Sequence, residues 1–173
     1  MNEALNAILT RRSVKAYKPE MPPRELIDEV IKAGTYAPTG MNRQSPIIIA
    51  VTDKATRDRL SKLNARIMGG SGDPFYGAPV VLIVLADKSA PTYIYDGSLV
   101  MANLLNAANA VGLGSCWIHR AKEEFQTPEG KELLRSLGIE GEYEGIGHCI
   151  LGYPAGEIPA AKPRKDNWVY RID

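Results

Sequence analysis

Val80-Val81-Leu82-Ile83-Val84-Leu85 is apolar at all six positions and β-branched at four of them. A run this short and this uniformly apolar predicts a strand covered on both faces, so the fold needs layers above and below a sheet. Ile47-Ile48-Ile49-Ala50-Val51 and Ser115-Cys116-Trp117-Ile118 predict two further strands, and Tyr143 to Leu151 a fourth. Around these lie segments of helical period. Ala4, Leu5, Ile8 and Leu9 give a short amphipathic helix. Pro22-Pro23 opens a second, with Leu26, Ile27, Val30 and Ile31 as its stripe and Gly34 placed to end it. Lys54 to Met68 carries Leu60, Leu63 and Ile67 on one face.

Ile94 to Val111 is apolar nearly all round, a pattern that predicts burial at the centre of a domain or at a subunit contact. Gly112-Leu113-Gly114 stops it, and Glu123 to Leu137 predicts one further helix with Gly138 past its end. Between these segments, Gly69 to Pro74 is rich in breakers and is the candidate for local mobility. No repeat or linker divides the chain, so residues 1–173 read as a single α+β domain with one central sheet. The tail from Gly152 to Asp173 has three prolines and no period, yet includes Trp168, Val169, Tyr170 and Ile172. Such residues are costly to leave in water, and a second subunit is the natural anchor.

Charged residues make up 24% of the 173, and the formal net charge is only +1, which argues against a nucleic-acid surface. Ala78 to Ala86, the longest apolar run, is far short of the ~20 residues a membrane helix needs. The N-terminus has no basic and apolar leader pattern, and Cys116 and Cys149 make neither a disulfide framework nor a metal cluster. The expectation is a cytoplasmic protein with no nucleic-acid or membrane partner.

Three constellations bear on chemistry. Arg11, Arg12, Ser13 and Lys15 put three cations and a hydroxyl within five residues, which suits a phosphate, although a solvated run at a helix C-terminus has the same composition. Lys162-Pro163-Arg164-Lys165 is a second, stiffened basic segment, which taken alone reads first as a solvated basic turn. Asn42 and Gln44 carry carboxamides that both donate and accept, as the edge of a heteroaromatic ring requires, and ordinary turn chemistry uses the same residues. Gly112-Leu113-Gly114 follows a helix and enters a strand, the reverse of a dinucleotide fingerprint. His119 and His148 have no metal-ligand spacing, and no nucleophile elbow or acid–base pair is evident. A bound cofactor would supply the missing chemistry.

Leu9 to Tyr17 resembles the N-terminal signature of the FMN-dependent nitroreductase family, and Tyr36-Ala37-Pro38-Thr39-Gly40-Met41-Asn42-Arg43-Gln44 its second signature. Gly112 to Ile118 is similar to the third. Leu151-Gly152-Tyr153-Pro154, followed by Lys162-Pro163-Arg164, is similar to the fourth. All four run in family order over almost the whole chain. The resemblance implies a mostly antiparallel sheet flanked by helices and a homodimer with FMN at the interface, the C-terminal tail extending onto the partner subunit. It implies that Arg11, Arg12, Ser13 and Lys15 contact the flavin, with Lys162 and Arg164 closing on its phosphate. Pro38, Thr39, Gly40, Asn42 and Gln44 would line the ring from the other subunit, and backbone at Ile118, His119 and Arg120 would lie near N5.

A cation near the N1–O2 edge would stabilise the charge that develops there on reduction, which gives Lys15, or Arg11, an electrostatic role with no side chain acting as catalyst itself. The family mechanism is ping-pong, with NADH or NADPH reducing FMN before a nitroaromatic, quinone or similar small acceptor takes its place. A dehalogenase-like or flavin-processing enzyme, or a non-enzymatic flavin binder of the same fold, is the alternative.

Overall fold

In the computed structural model, which describes residues 2–173, the run at Val80–Leu85 lies within the second strand of a four-stranded sheet. The strands are β1 (Pro46–Val51), β2 (Val80–Asp87), β3 (Gly114–Ile118) and β4 (Tyr143–Gly152). Their spatial order is β1-β2-β4-β3 and every neighbouring pair is antiparallel, with Ile49 opposite Ile83, Leu82 opposite Cys149 and Ile118 opposite His148. β3 is therefore an edge strand. The helices are α1 (Glu3–Thr10), α2 (Arg24–Thr35), α3 (Lys54–Ile67), α4 (Tyr93–Ala110), α5 (Ala121–Gln126) and α6 (Pro128–Ser136).

Alternation along β2 divides the core in two. Val80, Leu82 and Val84 point to one face, where Ile27 and Val30 of α2 and Met101 and Leu104 of α4 cover them. Val81, Ile83 and Leu85 point to the other, against Leu60 of α3, Phe75 and Phe125 of α5. Every residue from Val80 to Ala86 is without solvent contact, as a strand sandwiched between helical layers must be. Each such Val, Leu or Ile contributes roughly 1.5–3 kcal/mol of apolar burial, an upper bound on its net effect.

Two helix boundaries differ from the sequence expectation. Gly34 lies inside α2, not beyond it: a Cβ there would stand 2.6 Å from Leu104 Cδ2, so the glycine lets α2 and α4 pack closely. The single helix expected over Glu123–Leu137 is two, α5 and α6, broken at Thr127 (φ −72°, ψ 159°). Pro128 disfavours helical backbone at the residue before it, and the Thr127 hydroxyl then caps α6 by accepting from the Gly130 amide.

α4 buries one face, while Ile94, Tyr95 and Leu99 remain exposed. The tail is exposed from Ala155 onward, with one 3-10 turn at Asp166–Trp168, and Trp168, Val169, Tyr170 and Ile172 all face solvent. No helix among the described residues is long and apolar enough to cross a membrane.

Candidate functional site

The segment after α1 runs along the open edge of β3. Ser13 forms a parallel bridge with Ser115, and the Val14 amide donates to Ser115 O at 3.0 Å. Beyond that point the segment turns towards the end of β4, where the Lys18 amide donates to Tyr153 O and the Ala155 amide to Ala16 O, both at 2.9 Å. Tyr17 is half-buried beneath it, its hydroxyl donating to Val14 O, and desolvation raises its pKa well above the usual phenol value.

This routing creates a cavity of about 460 Å³ beside the edge of β3. Ser13 and Lys15 form one wall and Cys116 to Arg120 another, with Asp73, Pro74 and Tyr76 closing the side. Lys15 Nζ stands 5.7 Å from the centre of the Tyr76 ring, a favourable cation–π distance. Asp73 fixes the loop that carries Tyr76. Its carboxylate accepts from the Arg57 guanidinium and the Ser61 hydroxyl, both at 2.6 Å, and from the amides of Phe75 and Gly77. Burial pushes the Asp73 pKa up, but those four donors outweigh it and hold the carboxyl below its ordinary 3.8. The far end of the Gly69–Pro74 loop is thus tied down.

Beneath the Ile118–Arg120 turn lies a network with no counterpart in the sequence reading, which found no acid–base pair. His148 and Glu124 are both fully buried, with His148 Nε2 3.0 Å from Glu124 Oε2 and Nδ1 3.3 Å from Ile118 O. Asn64, also fully buried, donates through Nδ2 to Glu124 Oε1 and, at 2.9 Å, to His119 O. Its Oδ1 accepts from Arg120 Nε at 2.8 Å. Glu124 and His148 are 24 residues apart on α5 and β4, so only the packing of helix on strand brings them together. The local signal is Gly145: a Cβ there would lie 2.3 Å from the backbone of Ala121, so glycine lets α5 press onto β4.

The loop with the second signature is held elsewhere. Asp96, near the start of α4 and only 2% exposed, accepts from the Gly40 amide at 2.9 Å and from the hydroxyls of Ser45 and Thr92 at 3.0 Å each. Met41, Asn42 and Gln44 adopt positive φ of 54°, 53° and 50°. Gln44 Nε2 donates to Asn42 Oδ1 at 3.3 Å. Thr39 and Gln44 face a separate cavity of about 380 Å³, lined also by Ile31, Ile48 and Val100.

Within one chain, then, Ser13, Lys15, Ile118, His119 and Arg120 share a cavity, whereas the other candidates do not reach it. Arg12 folds back to cap α1, donating to the carbonyls of Leu9 and Arg11. Arg11 is half-buried near it, and Pro38, Thr39, Gly40, Asn42 and Gln44 belong to the Asp96-anchored loop. Lys162 and Arg164 lie in the exposed tail, the Arg164 guanidinium donating to Lys162 O at 2.7 Å. Cys116 and Cys149 are buried free thiols, and burial pushes the Cys149 thiol up to about 12. Among the described residues, no group of His, Cys, Asp and Glu side chains is arranged to hold a metal ion.

The Nitroreductase family matches over residues 8–70 and 66–153. A protein of Archaeoglobus fulgidus, assigned by inference as an NADH dehydrogenase/NAD(P)H nitroreductase, is 32% identical over 162 residues, covering 91% of this chain and 88% of its own. An FMN reductase (NAD(P)H) of Bacillus subtilis is 27% identical, covering 95% of this chain and 70% of its own. A crystal structure of a nitroreductase with bound FMN from Bacteroides fragilis superposes with a TM-score of 0.88 at 28% identity, covering 100% of both chains.

Proposed function

This chain belongs to the nitroreductase family, and from that premise we propose that it is an FMN-dependent NAD(P)H oxidoreductase acting on small acceptors such as nitroaromatics and quinones. The observation that carries the proposal is the convergence of Ser13 and Lys15 with the Ile118–Arg120 turn, a hundred residues later, on one cavity. Its donor set fits FMN. A hydroxyl, an ammonium and the backbone of the turn that follows β3 are what a polar heteroaromatic edge and a phosphorylated chain call for. When bound, FMN supplies the hydride chemistry that none of these side chains can perform.

The chain's own residues bind, orient and bias. Lys15 offers a fixed positive charge where negative charge builds on reduction, and Arg11 adds to the same field. Ser13, Arg12, Lys162 and Arg164 would gather on a phosphate that carries close to two negative charges. Pro38, Thr39, Gly40, Asn42 and Gln44 would complete the ring pocket from a partner subunit, in a homodimer of two whole-chain, 1–173 domains.

The dimer is supported by the apolar surface that one chain leaves uncovered. Leu5, Ile8 and Leu9 on α1, Tyr95 and Leu99 on α4, and Trp168 and Tyr170 in the tail all face water. The tail would then lie on the partner and bring Lys162 and Arg164 to its site. NADH or NADPH and the acceptor would use the same cavity in turn, a ping-pong order. Two free buried cysteines suit the cytoplasm.

The test is an absorption spectrum of the purified protein before and after adding FMN, then NADH or NADPH. Bands near ~450 nm that bleach with the reductant, with quinone-dependent turnover, are the expected result. A protein that stays colourless with added FMN overturns the assignment.

A further inference from the structure

Three side chains in the interior, Asn64, Glu124 and His148, are not used by the function proposed above, yet all three are fully buried and all converge on one short turn. That turn, Ile118–Arg120, forms a wall of the cavity and leaves the sheet at its open edge. Ser115 O faces outward, since Val14 donates to it, and alternate residues of an antiparallel strand present their backbone groups to the same side. Ile118, three residues further on and the last of the strand, therefore has its backbone groups on the inward side. Ile118 O faces inward, where His148 Nδ1 lies 3.3 Å from it. Because the peptide is planar and trans, the His119 N–H must point the opposite way, towards the cavity.

The next peptide is held as well. Asn64 Nδ2 donates to His119 O at 2.9 Å, and Arg120, tied through Nε to Asn64 Oδ1, sits at φ +78°. A non-glycine residue in that region persists only where surrounding structure over-determines it, and such positions concentrate at functional sites. The network is also nearly saturated. The Asn64 amide uses both donors and its acceptor, and each Glu124 oxygen and each His148 nitrogen has a partner.

We propose that Asn64, Glu124 and His148 are positioning residues, a buried network that locks the Ile118–Arg120 turn so that the His119 amide stands as a fixed hydrogen-bond donor to a ring nitrogen of the bound cofactor. This rests on the flavin reading above. A donor facing a ring nitrogen that is bare when oxidised and carries hydrogen when reduced favours the oxidised form. Loosening the turn therefore raises the reduction potential.

Glu124→Gln separates positioning from charge. The glutamine oxygen can accept from Asn64 while its amide donates to His148 Nε2, which leaves Nδ1–H for Ile118 O, so every donor still meets an acceptor. Glu124→Leu and Asn64→Leu remove those matches. The readouts are hydrogen exchange at residues 118–120 in the protein as purified, and the midpoint potential of bound FMN.

For Glu124→Leu and Asn64→Leu the expected result is at least tenfold faster exchange, with an upward shift of about 30 mV, the two-electron equivalent of a tenfold change. Glu124→Gln stays within twofold of the parent in both. Unchanged exchange and potential in Asn64→Leu overturn the proposal. So does a Glu124→Gln protein that behaves like Glu124→Leu, because charge or proton transfer would then be the role. A parent protein that takes up no FMN sinks the flavin reading instead. The exchange measurement then still decides the lock: faster exchange in Asn64→Leu supports it, and no change overturns it.

Discussion

Asp96 anchors the loop of the second signature through three hydrogen bonds, to the Gly40 amide and to the hydroxyls of Ser45 and Thr92, while only 2% exposed. In Asp96→Ala all three acceptor contacts vanish. Gly40 and Thr92 are half-buried and recover water, but Ser45 is buried and is left with an unmet hydroxyl, which costs about 1–3 kcal/mol. The lost charge-assisted bonds, and the lost carboxylate in the first turn of α4, bring the expected destabilisation to about 2–4 kcal/mol. For a chain of this length that is roughly 4–16 °C in Tm.

Asp96→Asn is different in kind. The amide oxygen can still accept from Gly40 N–H, and the amide nitrogen can donate to the hydroxyls, which reverse their roles by rotation. Its expected cost is about 1 kcal/mol. Chemical denaturation of both variants measures the difference directly, and FMN titration reports the loop: affinity falls in Asp96→Ala because Met41, Asn42 and Gln44 are no longer held at positive φ. An Asp96→Ala protein within about 0.5 kcal/mol of the parent, or an Asp96→Asn protein as unstable as Asp96→Ala, would refute the reasoning.

Two further outcomes follow from the packing around the cavity. Gly145→Ala places a Cβ 2.3 Å from the Ala121 backbone, so α5 must move off β4; the expected cost is about 1–3 kcal/mol in thermal unfolding, and an unchanged Tm would show that α5 is not pressed there. Asp73 has its folded pKa held below 3.8, so its stabilising contribution is complete above that value and is lost as pH falls through the depressed folded value. Limited proteolysis in the 69–77 loop should therefore rise below pH 3.8 in the parent; an Asp73→Asn protein, which lacks that titration, should show no such step, and an identical step in both would reject the assignment.

Much of this protein was written in local pattern. The uninterrupted apolar run at Val80–Leu85 required two covering layers because a strand exposes both faces, and the helical stripe of α2 followed from period alone. Asp53 before α3 and Pro128 at the start of α6 are local signals too, and Pro128 divides what helical period alone reads as one helix. Ser13 and Lys15 stood out by residue type, whereas Ile118–Arg120 entered only through the family resemblance.

What sequence could not decide was which distant residues meet. Gly34 reads as a helix stop, and only the close approach of Leu104 makes it an interior packing residue. Nothing in the local pattern marks Asp96 or Glu124 as buried. They are buried because α4 and α5 turn those positions onto a loop and a strand far away in the chain. Hydrogen-bond partners separated by 24 to 60 residues leave no periodicity, since their relation is fixed by how helices pack on the sheet and not by the repeat of either element. The sequence by itself determined the elements and the chemical types at the site; tertiary packing alone decided that Asn64, Glu124 and His148 stand beneath the turn that lines it.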